Sequence, residues 1–283
     1  MQSKQVSIRN LLSRFKGKIS LTLFLVLLES GLGLLFPLFI GFAINDLLVD
    51  RFDGVIALAG LGVLTLLVGS GRRFYDTRAY AGIYVTISDE MVAREQQKKT
   101  SLSKISGRAS LLTEFIEFLE NSMPMIVSSV IGVLGILVII AGLNRSVFWA
   151  CVGLFVLMVF IYWLSGKRNF LYNEAYNNEV EHRVDALATE KLGVIHKHFQ
   201  SVMHWNVKLS DLETLNYAGL WLGIIAVLVF APIAVVDSGI ANYGLVFSIL
   251  MYVFQYVESL ATLPLFIQQV IRLQEISTRL QDA

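Results

Sequence analysis

The sequence predicts an all-α integral membrane protein: six transmembrane helices with long cytoplasmic stalk extensions. Three observations carry that prediction. Hydrophobic residues make up 55% of the 283-residue chain and charged residues only 16%, whereas a soluble domain carries about 25% charge to cover its core. Six stretches reach the about 20 apolar residues needed to cross ~30 Å of hydrocarbon at ~1.5 Å per residue. Two of the connections between them are roughly 50 residues long, where unstructured loops above about 15 residues are uncommon. The mean hydropathy of +0.64 agrees. A single cysteine, Cys151, cannot close an intrachain bridge, and a net charge of +1 excludes a strongly basic nucleic-acid binder.

The spans run from Ile19 to Ile44, Val55 to Gly71, Met123 to Leu143, Ser146 to Leu164, Leu215 to Val236 and Ile240 to Ile271. Backbone amides in lipid must pair within their own segment, so each is expected to be helical. Trp149 and Trp163 bracket the fourth span and are placed for opposite interfacial belts. The first apolar segment is too long for a cleavable signal peptide, and no small-residue cleavage pattern follows it. Lys4, Arg9, Arg14, Lys16 and Lys18 precede the first span, while only Arg51 and Arg145 fall on the far side. The positive-inside preference then puts both termini in the cytoplasm, at the cell membrane. The expected organisation is an N-terminal segment 1–18, a six-helix domain 19–271 with internal loops 72–122 and 165–214, and a short tail 272–283. Within those loops SDEMVAREQQKK and NEAYNNEVEHRVDALATEKL contain no Gly or Pro. A turn halfway along each loop gives arms of about 25 residues, or some 35 Å of helix.

Ionisable residues at membrane depth are the candidate functional groups. Glu29 lies about ten residues, near 15 Å, into the first span, on a helix otherwise offering Leu, Phe, Val and Gly. It is therefore expected to face protein or a cavity. Glu258 lies in the inner part of the sixth span beside Tyr252, Gln255 and Tyr256. Each is read either as a protonatable cavity group or as a carboxyl that fixes helix packing. Arg72, Arg73, Asp76 and Arg78 cluster at the inner end of the second span, and Asp76 is in helical reach of both Arg72 and Arg73. The cluster is either a cationic cavity mouth or a set of arginines snorkelling to headgroups. His182, His196, His198 and His204 all fall in the second internal loop. His196 and His198 point about 200° apart on a helix, so no zinc site is expected and the histidines read as solvated. Pro37, Pro124, Pro232 and Pro264 lie in or at the start of spans, as hinges or as static bends.

With six spans, both termini inside and two matched internal stalks, the chain resembles the transmembrane region of an ABC exporter, roughly from Leu11 to Leu280. LLFPLFIGFAINDLL at Leu34–Leu48 is similar to that family's first helix. PLFIQQVIRLQEISTRLQD from Pro264 is similar to its last, which leads toward a nucleotide-binding domain. The resemblance implies two coupling loops, one at Leu102–Ser110 with Leu102 and Lys104, the other at Glu190–Met203 with Leu192, Gly193 and Phe199.

ATP hydrolysis needs a glycine-rich loop ending in Gly-Lys-Ser/Thr, whose amides cradle phosphate. The only Gly-Lys pairs, Gly17-Lys18 and Gly166-Lys167, are followed by Ile19 and Arg168, and no Gly-Gly occurs. The chain also ends about ten residues after its last span. It is therefore expected to be no enzyme, to bind no cofactor and no metal, and to meet ATP only through a partner. The resemblance implies a permease subunit working as a homodimer with a separately encoded ATPase, in a lipid bilayer and without nucleic acid. An ion-driven transporter of the same fold, or a membrane scaffold without flux, are the alternatives.

Overall fold

A computed structural model describes residues 13–97 and 102–281; Lys4 and Arg9 lie outside them. The described residues form helices and no strand: α1 (Lys16–Leu47), α2 (Asp53–Gln97), α3 (Leu102–Glu117), a π-helical turn (Phe118–Ser122), α4 (Met123–Leu143), α5 (Arg145–Glu181), α6 (Arg183–Ala188), α7 (Leu192–Asp237) and α8 (Tyr243–Gln281). Six helical stretches are long and apolar enough to cross a membrane. Several outrun it. α2 has 45 residues and α7 has 46, about 68 Å each against ~30 Å of hydrocarbon. The apolar spans therefore continue without a break into long arms. The described parts of the segments expected as internal loops are helix except near 182–191.

Local chemistry sets the ends. Asp46 Oδ2 accepts from the Gly54 amide at 2.8 Å, Asn144 Oδ1 from Val147 at 3.0 Å, and Asn242 Oδ1 from Leu245 at 2.8 Å, each satisfying an orphan donor of a new helix. The sixth spanning helix starts at Tyr243 rather than Ile240 because Gly239 turns the chain at φ +68° and Asn242 caps the first turn of α8. At Pro124 the missing amide and the ring's clash with the preceding turn favour a wider coil. The π turn sits immediately before it.

The chain divides into two compact units, one of 1–143 with 238–283 and one of 144–237. In the first, α1 packs on α2, α4 and α8, α4 packs on α8, and α3 packs on α2. The outer end of the α1–α2 hairpin is tight: a methyl group at Gly54 would stand 2.8 Å from the Ala43 backbone. α8 is pinned to α1 in antiparallel register. Asn45 accepts from the Gly244 amide at 2.9 Å, Ser248 donates to the Pro37 carbonyl at 2.7 Å, and Tyr252 donates to the Leu34 carbonyl at 2.6 Å. Gly41 and Gly244 meet backbone to backbone at this crossing. Beyond the apolar spans, Tyr80, Ile83, Ile87, Leu112, Phe115 and Leu119 make a core between α2, α3 and the π turn. Arg108 pairs with the buried Glu95, and Arg14 with Glu90 at 2.7 Å.

The second unit is a hairpin of α5 and α7, with α6 near its turn. Gly219 and Gly223 admit Ile161, Leu154 and Leu157, and Asn216 donates to Ser165 Oγ at 3.0 Å. Farther along the same seam, Tyr172 meets Trp205, and Glu179 meets His198.

Candidate functional site

The α1–α2 seam of the first unit carries a buried charged network. Thr22, Val26 and Glu29 share one face of α1, and Gly69, Arg72, Asp76 and Tyr80 one face of α2, each at three- and four-residue spacing. Antiparallel packing brings the faces together in register. Arg72 Nε donates to Glu29 Oε2 at 2.5 Å, and its Nη1 donates to Asp76 Oδ2 at 3.0 Å. Thr22 Oγ1 donates to the other Asp76 oxygen at 2.6 Å. Glu29 Oε1 rests against Gly69, where a methyl group would stand 2.8 Å away. The missing side chain at Gly69 is therefore what lets the carboxylate lie on the helix.

The two carboxylates differ in surroundings. Asp76 is 4% exposed in its side chain and accepts a donor on each oxygen, whereas Glu29 is 26% exposed and engaged on one oxygen. The Tyr80 side chain is fully buried beside Thr22 and Asp76. One guanidinium faces two carboxylates, so the fully ionised network carries one surplus negative charge.

Arg72 thus does not snorkel: it is consumed by Glu29 and Asp76. Arg73 does not join Asp76; one residue along the helix it is turned outward, exposed, and forms no ion pair among the described residues. Arg78 stacks on Phe74 with its guanidinium 3.3 Å from the ring centroid and donates to the Phe74 carbonyl. Glu258 is exposed on α8, whereas Tyr252 and Tyr256 are fully buried, so the two tyrosines grouped with it by sequence lie on another face.

At the hairpin tip of the second unit Leu192 and Gly193 are exposed, and a methyl group at Gly193 would meet open space. Leu102 and Lys104 begin α3, and their side chains lie outside the described residues. The histidines divide. His182, His196 and His204 are exposed, but His198 is buried and its Nδ1 stands 3.2 Å from Glu179 Oε1. The reading of all four as solvated fails for His198 because the loop is an antiparallel helix pair with an inner face. Among the described residues no three His, Cys, Asp or Glu side chains are grouped to hold a metal.

Sequence reasoning missed Thr22 and Gly69. The three- and four-residue spacing around Glu29 and Arg72 was the available signal, but it needed a helix register to become contacts. A search among curated proteins finds none that matches. The family described as ABC transporter transmembrane region matches residues 8–242, most of the chain. With six helices fit to cross a bilayer and two of them running on as long arms, that match identifies a multi-pass membrane transporter domain: the chain belongs to the ABC transporter transmembrane region family.

Proposed function

We propose that this chain is a permease subunit that moves a substrate across the membrane as a homodimer, energised by a separately encoded ATPase. The observation that carries the reading is the length of the helices beyond their apolar spans, since rigid arms of this kind give a partner something to move. The exposed hairpin tip at Leu192 and Gly193, and the start of α3 at Leu102 and Lys104, are the surfaces on which such a partner would act. ATP is bound by the partner, and the chain itself takes no cofactor. The dimer is argued from the family resemblance, because six spans would make only half of the cavity seen in this type of fold. Both termini and both arms are cytoplasmic, on the distribution of Lys and Arg.

The test is purification from native membranes after cross-linking, followed by reconstitution in vesicles. A cross-linked dimer that brings an ATPase polypeptide with it, and flux that stops without ATP, is the expected result. A monomer with no ATPase and no flux would leave a scaffold.

A second reading, an ion-driven transporter of the same fold, draws on the α1–α2 network. A titratable network that joins Glu29, within the first span, to Arg72 and Asp76 at the inner end of the second suits a cycle coupled to protons. Flux that persists without nucleotide and collapses with the pH gradient would select it.

A further inference from the structure

We propose that the α1–α2 network is a single-proton site, in which Glu29 takes up the proton at Oε1 while Asp76 stays ionised and Arg72 holds both. This deepens the second reading above by naming the ion and the atom that receives it, but it requires only binding and no flux.

The assignment rests on donors and access. Both Asp76 oxygens already accept, one from Thr22 and one from Arg72, and donation to the charged form favours it. Glu29 Oε1 has no donor among the described residues, lies over Gly69, and belongs to the more accessible of the two carboxylates. A proton arriving from water at that oxygen removes the surplus negative charge and leaves Arg72 and Asp76 as a neutral pair. No bond other than O–H is made, and only the Arg72–Glu29 ion pair is weakened.

The Tyr80 side chain, fully buried beside Thr22 and Asp76, closes the aspartate end of the network, so the more accessible end is that of Glu29.

Few other groups compete. α4 carries no titratable side chain. On α8, Glu258 is exposed and the Tyr252 hydroxyl is committed to the Leu34 carbonyl. On α1, Lys18 lies farther along, its Nζ near Gly82. On α2, Arg73 is turned outward, and Tyr75 donates to the Lys18 carbonyl at 3.4 Å. Glu120, on the π turn, lies within electrostatic reach of Tyr80.

The test is an infrared pH series on the full chain in lipid nanodiscs, with neither substrate nor nucleotide. The wild-type spectrum minus that of Glu29→Gln should contain the carbonyl stretch of one protonated carboxylic acid, and it should shift when glutamate alone is ¹³C-labelled. In Asp76→Asn the surplus charge is gone, so the same band should appear only at lower pH, by about one unit, or tenfold in proton concentration. Should Glu29→Gln not fold, Glu29→Asp keeps the charge, and the isotope shift should pass from labelled glutamate to labelled aspartate. A wild-type band that follows labelled aspartate, or a band whose midpoint ignores Asp76→Asn, overturns the proposal. A chain that binds the proton here but shows no gradient-driven flux leaves the site standing and sinks the second reading.

Discussion

Asp76 is held by donors from two helices, Thr22 on α1 and Arg72 on α2, and this sets the cost of losing it. Asp76→Ala leaves Arg72 paired with Glu29 alone and idles a buried threonine hydroxyl. Unfolding titrations in detergent should show a loss of about 1–3 kcal/mol, the usual cost of leaving buried donors without their acceptor. Arg73→Ala, one residue away but exposed and free of ion pairs among the described residues, should change stability by no more than about 0.5 kcal/mol. Gly69→Ala drives a methyl group into Glu29, and the strain should largely vanish in the double variant with Glu29→Ala, a coupling that a double-mutant cycle measures. Part of this was legible in the sequence. Arg72 and Asp76 are one turn apart, so their pairing is local. Glu29 and Arg72 are 43 residues apart, and their contact depends on a register between helices that hydropathy does not encode. Glu29 and Glu258 look alike by depth, and only packing separates the paired carboxylate from the exposed one.

Individual helices are positioned by small residues and carbonyl contacts more than by apolar burial, because lipid is as apolar as leucine. The α1–α8 crossing shows this. A methyl group at Gly244 would overlap the Gly41 carbonyl, which no rotamer change relieves. Gly244→Ala should therefore cost about 1–3 kcal/mol and separate the outer ends of α1 and α8, seen as a lengthened spin-label distance. Ser248→Ala keeps the close approach and removes one side-chain donor to Pro37, for a loss of about 1 kcal/mol. In the second unit, Glu179→Ala leaves His198 buried without its partner. Amide exchange should quicken on both arms near 176–200, consistent with a loss of about 1–3 kcal/mol. Helix existence was readable because lipid leaves a spanning backbone no partner outside its own segment, and because the long connections contain stretches without Gly or Pro. The π turn before Pro124 and the buried face of the second arm were not, since each depends on what packs alongside.

At the scale of the whole molecule, six spans could be counted from hydropathy because lipid imposes a length, and the arms could be expected because each long connection contains a stretch without Gly or Pro. The division into two compact units was not legible. Walls that face lipid and walls that face another helix use the same residues, so a sequence cannot say which of them meet. Orientation rests on charge alone, and it admits a direct check. The chain has one cysteine, Cys151, which is fully buried, so Cys151→Ala should give a silent background. In that background Arg51→Cys probes the exposed connection between α1 and α2, and Lys191→Cys the exposed turn before α7. Five basic residues precede the first span, whereas Arg51 is held close by Asp53 through a hydrogen bond at 3.1 Å. The side of the membrane that retains the free Lys and Arg is the cytoplasmic one. A membrane-impermeant maleimide added to right-side-out vesicles should then label Arg51→Cys and spare Lys191→Cys, with the pattern reversed in inverted vesicles. Labelling of both positions from one face would mean that the number of crossings between residues 51 and 191 is even, and the six-span topology would fall with the orientation.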